Sequence, residues 1–286
     1  MQLSASFFRK VTKTMMRILL VIVSTLLTAT LFTPTLTKAE SVETIATRPG
    51  VTVKAIVWGE TTADAPIVIL FMGGDGRIKL DSWDGSGNPV RNFLVRTRKH
   101  FVRNGLFAIV PDIPSDRQED GLYTWRTSEA HAADIAALIK HMRNKSKGPV
   151  FLIGHSRGSI SAASVAATLP KGAITGVVLA SSVTRYPRGK FLHRVQDGKL
   201  QDIQVPVLFV HHKNDLCDVT VAEDIPDLAK KFTAAPNVKI TIEEEGGKYR
   251  GSECGSLSAH GFRSIEARVV DQIASWVKDV AEAARK

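Results

Sequence analysis

Apolar residues recur along this chain in two rhythms. Continuous or nearly continuous apolar runs occupy residues 67–71, 106–110, 150–153, 174–179 and 206–210, the pattern of strands buried on both faces. Between them the apolar positions return every three or four residues. Phe93, Leu94, Phe101 and Val102 form one such set, and Ala132, Ile135, Leu138, Ile139 and Met142 a second. Ile265, Val269, Ile273, Trp276 and Val277 form a third, after Gly261. This spacing predicts amphipathic helices over 92–103, over 128–144 with Ser128 as N-cap, and from 261 onward. A shorter helix is expected at 225–232 and a further strand at 238–242. Residues 51–58 alternate with period two and read as an N-terminal strand, whereas 41–49 follow neither rhythm and read as an irregular lead-in. Glycine-rich or polar segments at 72–76, 77–89, 115–123, 185–204 and 246–258 read as connections.

Strands alternating with helices predict an α/β fold: a mostly parallel sheet flanked by helices on both faces. A chain of 286 residues, 44% hydrophobic and 23% charged, is rich enough in apolar residues to bury such a core. We read residues 40–286 as a single domain. Residues 1–39 follow a different grammar. Arg9, Lys10, Lys13 and Arg17 precede an uncharged run at 18–32, followed by Pro34 and the small-residue exit at Ala39. That order is the one a secretory signal peptide has, and the run is short for a membrane span of about 20 residues. The expectation is a secreted or periplasmic protein, with an uncleaved N-terminal anchor as the alternative.

Removing 1–39 takes away five basic residues and no acidic ones, so the formal charge falls from +10 to +5. The remaining excess is scattered, without the basic run or aromatic ladder that nucleic-acid binding calls for. Cys217 and Cys254 are the two cysteines; an even count in an exported chain predicts one disulfide.

Chemistry concentrates where the run at 150–153 ends in Gly154-His155-Ser156-Arg157-Gly158 and continues into the small-residue segment 161–167. Strand, sharp turn and helix around Gly-x-Ser-x-Gly are the context of a nucleophile elbow, in which the glycines let strand and helix approach. In an open parallel sheet reactive groups collect beyond the carboxyl ends of the strands. Beyond 206–210 lie His211, His212 and Asp215, with Asp218 close behind. Beyond the last strand and its loop lies His260. Asp215 and His260 are thus the candidate acid and base, with Asp218 the alternative acid. His211, His212, His155 and His193 are the alternative histidines; His155 lies inside the elbow, where its ring cannot return to Ser156. No residue set has metal-ligand spacing, and Gly73-Gly74-Asp75-Gly76 lacks the Lys-Ser/Thr of a phosphate-binding loop. No cofactor is expected.

These residues resemble an α/β-hydrolase. The likeness rests on Gly154-His155-Ser156-Arg157-Gly158, on the strand-end Asp215 and on His260-Gly261 before the last helix, and it spans roughly residues 51–280. Having no large lid segment, the chain is most similar to the dienelactone-hydrolase-like and small-esterase members. The resemblance implies a Ser156–His260–Asp215 triad acting on an ester, thioester or amide of a small molecule. It also implies an oxyanion hole built from the N–H of Arg157 and one from the turn at 72–74. Alignment with the family's His-Gly-x turn points to Gly74; Met72 stands where many members carry His, which keeps Gly73 open. A disulfide between Cys217 and Cys254 would tie the acid's loop to the base's loop. Arg157, Arg185, Arg188, Lys190 and Arg194 are candidates for reading an anionic group, and Trp83 and Trp125 for walling a pocket. A non-catalytic binding scaffold and a transacylase are the competing readings of the same residues.

Overall fold

The apolar runs pair side by side because each has two faces to cover. In the computed structural model, residues 40–59, 64–86, 88, 90–187, 193–246 and 250–286 are described; the leader at 1–39 and the loop residues Arg188 and Lys190 lie outside them. The strands are β1 (Ser41–Arg48), β2 (Val51–Trp58), β3 (Ile67–Phe71), β4 (Phe107–Pro114), β5 (Val150–His155), β6 (Gly176–Ala180), β7 (Val207–His212) and β8 (Val238–Glu243). They form one sheet in the order β1-β2-β4-β3-β5-β6-β7-β8. The pairs β1–β2 and β2–β4 are antiparallel and the others parallel.

The helices are α1 (Phe93–Arg103), α2 (Glu129–Arg143), α3 (Gly158–Thr168), α4 (Ile225–Ala229) and α5 (Glu266–Ala283). Alternate strand residues feed two separate cores. Ile67, Ile69, Phe71, Val150 and Leu152 pack with Ile135 and Leu138 of α2 and Ala162 of α3. Val68, Leu70, Phe151 and Ile153 pack with Phe93 and Leu94 of α1 and Val269 and Ile273 of α5. Both faces of the sheet are therefore covered, as the continuous apolar runs require.

Four boundaries differ from the sequence reading, one being β4, which runs on past the expected end at Val110 to Pro114. Residues 41–48 are a strand, joined to β2 through a turn at Gly50, whose φ is +71°. Their apolar rhythm is missing because this edge strand meets α2 largely through charge: Glu43 pairs with His141 and Lys145, and Arg48 with Asp134. The helix expected over 225–232 is the short α4. The last helix starts at Glu266, because Phe262 and Ser264 take left-handed backbone (φ 56° and 68°) that no helix continues through.

The topology places the site. From β3 the chain leaves for β4 on one side, while β5 lies on the other, so the carboxyl ends of β3 and β5 open a crevice. Two glycines let the elbow close there. A Cβ on Gly158 would stand 1.9 Å from the carbonyl oxygen of Phe71, and one on Gly154 would stand 2.2 Å from that of Gly158. Both neighbours are backbone and cannot swing aside. Gly158→Ala is expected to destabilise the fold by at least ~1–3 kcal/mol, the usual range for overpacking. Urea unfolding that shows an unchanged midpoint would refute this close approach.

Candidate active site

Ser156 stands between β5 and α3 with φ 56°, a left-handed conformation that a non-glycine residue adopts only under constraint. Its N–H is held by the carbonyl of Ala180 at 3.0 Å, at the end of β6. The side chain is half-buried and lines an open cleft of about 290 Å³, shared with Met72, Gly73, Gly74, Asn92, Cys254 and His260. Gly73 lies directly against the serine: a Cβ there would come within 2.8 Å of Ser156 Cβ. Gly74 follows in left-handed backbone (φ 62°) with open space beside it. Arg157, next after the serine, is the N-cap of α3.

His260 and Asp215 meet across 45 residues. His260 Nδ1 donates to Asp215 Oδ2 at 3.0 Å, with both side chains withdrawn from solvent. Both carboxylate oxygens are engaged: Oδ1 accepts from the Cys217 N–H at 3.0 Å, and Oδ2 also accepts from the Thr220 hydroxyl at 2.9 Å. Thr220 Oγ1 lies 3.1 Å from His260 Nδ1 as well. Its single proton goes to Asp215, so the imidazole N–H is shared between carboxylate and hydroxyl. This fixes the proton on Nδ1 and leaves Nε2 as the basic nitrogen. The backbone of His260 is held independently. Its carbonyl accepts from His155 Nε2 at 2.7 Å and from Ser181 Oγ at 2.9 Å.

The other histidines are accounted for. His155 is fully buried, and burial first, then the neighbouring His260, pushes it well below its ordinary value. It is a neutral ring that accepts from Asn92 on Nδ1 and donates from Nε2. Burial likewise pushes His211 down to about 3, where it accepts the Ser182 N–H at 2.9 Å. His212 is buried and bonded to the Glu245 carbonyl and the Asn214 N–H. His193 is not among the described residues lining the cleft. Asp218, the alternative acid, is exposed, and it is Asp215 that pairs with His260.

Cys217 and Cys254, 37 residues apart, form a disulfide. It links the segment whose N–H holds Asp215 to the cleft wall at Cys254, Gly255 and Ser256. Asp218 lies near the same sulfurs, but their bonding to each other leaves no thiolate there to ligate a metal.

Not every candidate reaches the cleft. Arg185 makes two hydrogen bonds to Asp224, and Arg194 pairs with Asp197, so both described arginines of this loop are engaged in ion pairs. Arg157 lies over the Tyr123 ring, 4.9 Å from its centroid. Trp83 stacks with Arg98, and Trp125 with Arg48 and Arg117; neither tryptophan is among the cleft's described lining residues. Sequence reasoning missed Thr220, Ser181 and Asn92. Their residue types are common in loops and turns, and nothing in their spacing sets them apart.

Fold and site together define the class: this is the α/β-hydrolase fold, with serine, histidine and aspartate candidates at the carboxyl ends of β5, β7 and the last loop. Residues 117–220 match the family described as serine aminopeptidase, S33 (Hydrolase_4). An esterase from Pyrococcus furiosus is similar in structure at 13% identity, with a TM-score of 0.59 over 84% of this chain and 92% of that one. A dienelactone hydrolase from Anabaena variabilis is similar at 14% identity and a TM-score of 0.58, covering 84% and 97%. Est1E from Butyrivibrio proteoclasticus is similar at 14% identity and a TM-score of 0.56, covering 84% and 98%. No curated protein sequence matches the chain.

The disulfide closes a long loop, and in the chain-entropy description such a link contributes about 4 kcal/mol. Reducing it under native conditions is expected to lower the unfolding free energy by ~2–4 kcal/mol in urea titrations. Identical oxidised and reduced curves would show that it restrains nothing.

Proposed function

We propose that the protein is an exported serine hydrolase that cleaves an ester, thioester or amide of a small substrate through an acyl-enzyme on Ser156. The observation that carries this reading is the imidazole of His260, buried, oriented through Nδ1 by Asp215, and opening on the same cleft as Ser156. Such an imidazole takes the hydroxyl proton as Ser156 Oγ attacks the carbonyl, then delivers it to the leaving group. Water repeats the sequence on the acyl-enzyme: His260 takes its proton, the acid leaves, and Ser156 regains its hydrogen. Asp215 stabilises the imidazolium that forms each time. The tetrahedral oxyanion is received by the N–H of Arg157, at the positive end of α3, and by an N–H of the turn at 72–74, with Gly74 as our assignment and Gly73 its alternative.

The similarity of the fold to an esterase and a dienelactone hydrolase supports small-molecule acyl chemistry. So does a cleft of about 290 Å³, at the small end of ligand pockets. Export is supported by the leader at 1–39 and by the disulfide, which persists in oxidising compartments. Among the described residues no helix is long and apolar enough to cross a membrane.

A fluorophosphonate probe tests the nucleophile. The wild-type protein is expected to label and Ser156→Ala not to; labelling that survives the substitution would sink the assignment. Short p-nitrophenyl esters and acyl-thioesters then define the substrate. Asp215→Asn tests the orienting acid. Its carbonyl oxygen would stay on the Cys217 N–H, so its NH₂ group would face His260 and Thr220. The imidazole would have to accept on Nδ1 and carry its proton on Nε2, the wrong tautomer for a base. We expect kcat to fall by about 10³–10⁴ with the fold intact; a fall under roughly tenfold would remove Asp215 from the triad.

A further inference from the structure

Arg126 is the residue this site does not yet explain. It precedes α2 and is one of the largest fully buried side chains, at 1% exposure. Its guanidinium makes no salt bridge among the described residues. Nη1 donates to Ser161 Oγ at 2.8 Å, while Nη2 donates to the carbonyls of Met72 and Gly74, each at 3.2 Å. Nε has no partner among the described residues. A buried cation without a counterion is costly. Packing alone therefore does not account for an arginine here.

Its surroundings disfavour the charge without removing it at neutral pH. Burial, then the charge of Arg157, push Arg126 down to about 9, opposed by Asp75. Adjacent His131 is pushed down to about 3 by its own burial and by Arg126, and so brings no charge at neutral pH.

What Arg126 touches belongs to two different parts of the site. Met72 and Gly74 bracket the turn after β3; Ser161 lies in the first turns of α3, the helix that begins just after Ser156 and Arg157. Gly73 contributes a third constraint, its carbonyl accepting from the Gly76 N–H at 3.2 Å. Three successive carbonyls of the turn are thus tied, two of them to a group that also grips α3. A planar peptide unit moves as one piece, so holding the Met72 carbonyl fixes the Gly73 N–H directly, while the Gly74 N–H, in one plane with the Gly73 carbonyl, is held between the Gly76 N–H on that carbonyl and Arg126 on the carbonyls either side. Hydrogen bonding to a carbonyl also polarises that peptide and strengthens its N–H as a donor.

We propose that Arg126 is the positioning residue of the oxyanion hole, a buried clamp that sets the turn at 72–74 against the head of α3. The inference rests on the serine-hydrolase reading above and extends it to the spacing of the two donors. Those donors come from segments more than eighty residues apart in sequence. Arginine suits the task because its rigid fork reaches two separated acceptor sets at once, which an ammonium on a flexible stem does not. Displacing a donor weakens the hold on the tetrahedral oxyanion more than the hold on the planar substrate.

The test compares wild type with Arg126→Met, Arg126→Lys and Ser161→Ala. For each, kcat and KM are measured on a short p-nitrophenyl ester, the inhibition constant for an aryl boronic acid, which forms a tetrahedral adduct on the serine, and the thermal midpoint. Arg126→Met is expected to lower kcat by roughly 10–100-fold with KM changed less than about threefold, and to weaken the boronic acid in parallel. Arg126→Lys should fall between wild type and Met. Ser161→Ala, which releases one arm of the fork, should move kcat and boronate affinity together by about three- to tenfold. A folded Arg126→Met with wild-type kcat and boronate affinity would overturn the clamp while leaving the hydrolase reading in place. Should that variant not fold, Ser161→Ala decides, and unchanged values there overturn the proposal equally. A wild type that neither turns over acyl substrates nor binds the boronic acid would overturn the hydrolase reading and the clamp with it.

Discussion

Everything at the reactive end of this molecule depends on how closely the head of α3 approaches the end of β3. Gly158 sits where any Cβ would overlap the Phe71 carbonyl, so the helix enters almost in contact with the neighbouring strand's backbone. That contact forces the turn at Ser156 into left-handed backbone, a conformation costing on the order of 1–3 kcal/mol for a residue with a side chain. The strain is held by hydrogen bonds on either side: the Ser156 N–H to Ala180, and the Ser159 N–H and hydroxyl to the Ser156 carbonyl. In return the hydroxyl stands above the sheet at a helix N-terminus, with the glycine turn of β3 pressed against it.

Around that turn the protein uses polar side chains as neutral struts. Two fully buried histidines, His155 and His211, are kept uncharged by desolvation and supply directed hydrogen bonds without charge. His155 and Ser181 hold the backbone of His260, while Asp215 and Thr220 hold its ring. His260 is therefore restrained at both its backbone and its ring by groups from three different segments. The disulfide adds a covalent restraint between the acid's loop and the cleft wall. Such redundancy fits the role proposed for His260, which requires it to stay within hydrogen-bond reach of its partners.

Much of this was legible beforehand because burial writes directly into residue type. A strand covered on both faces has to be apolar throughout, so β3, β5, β6 and β7 announce themselves, and their parallel order follows from the helices between them. Strand β1 did not, because its contact with α2 runs through Glu43, His141, Lys145, Arg48 and Asp134. An ion-paired surface has no hydrophobic period to detect. The elbow was legible for a similar reason: close backbone approach admits glycine alone, and two glycines flanking a serine mark it. Thr220 and Arg126 carry no such mark, since a threonine in a turn or an arginine in a polar loop is ordinary until its neighbours are known. The described tryptophans and arginines picked out as pocket walls or anion readers have other partners instead: Trp83 stacks on Arg98, Trp125 on Arg48 and Arg117, and Arg157 on Tyr123, while Arg185 and Arg194 pair with Asp224 and Asp197.

The amino-acid sequence by itself determined the layers, the succession of strands and helices along the chain, and the candidacy of Ser156 after β5, Asp215 after β7 and His260 beyond the loop that follows the last strand. Those features follow from local rules: periodicity, glycine sterics and the tendency of parallel sheets to gather reactive groups at their carboxyl ends. Tertiary structure alone decided that Asp215 rather than Asp218 meets His260, that His155 is a strut, and that a buried arginine grips the turn at 72–74. These depend on which segments, tens of residues apart, a twisted sheet brings within 3 Å of one another. Hydrogen bonds are that short and that directional, whereas sequence spacing constrains distance only within a single element.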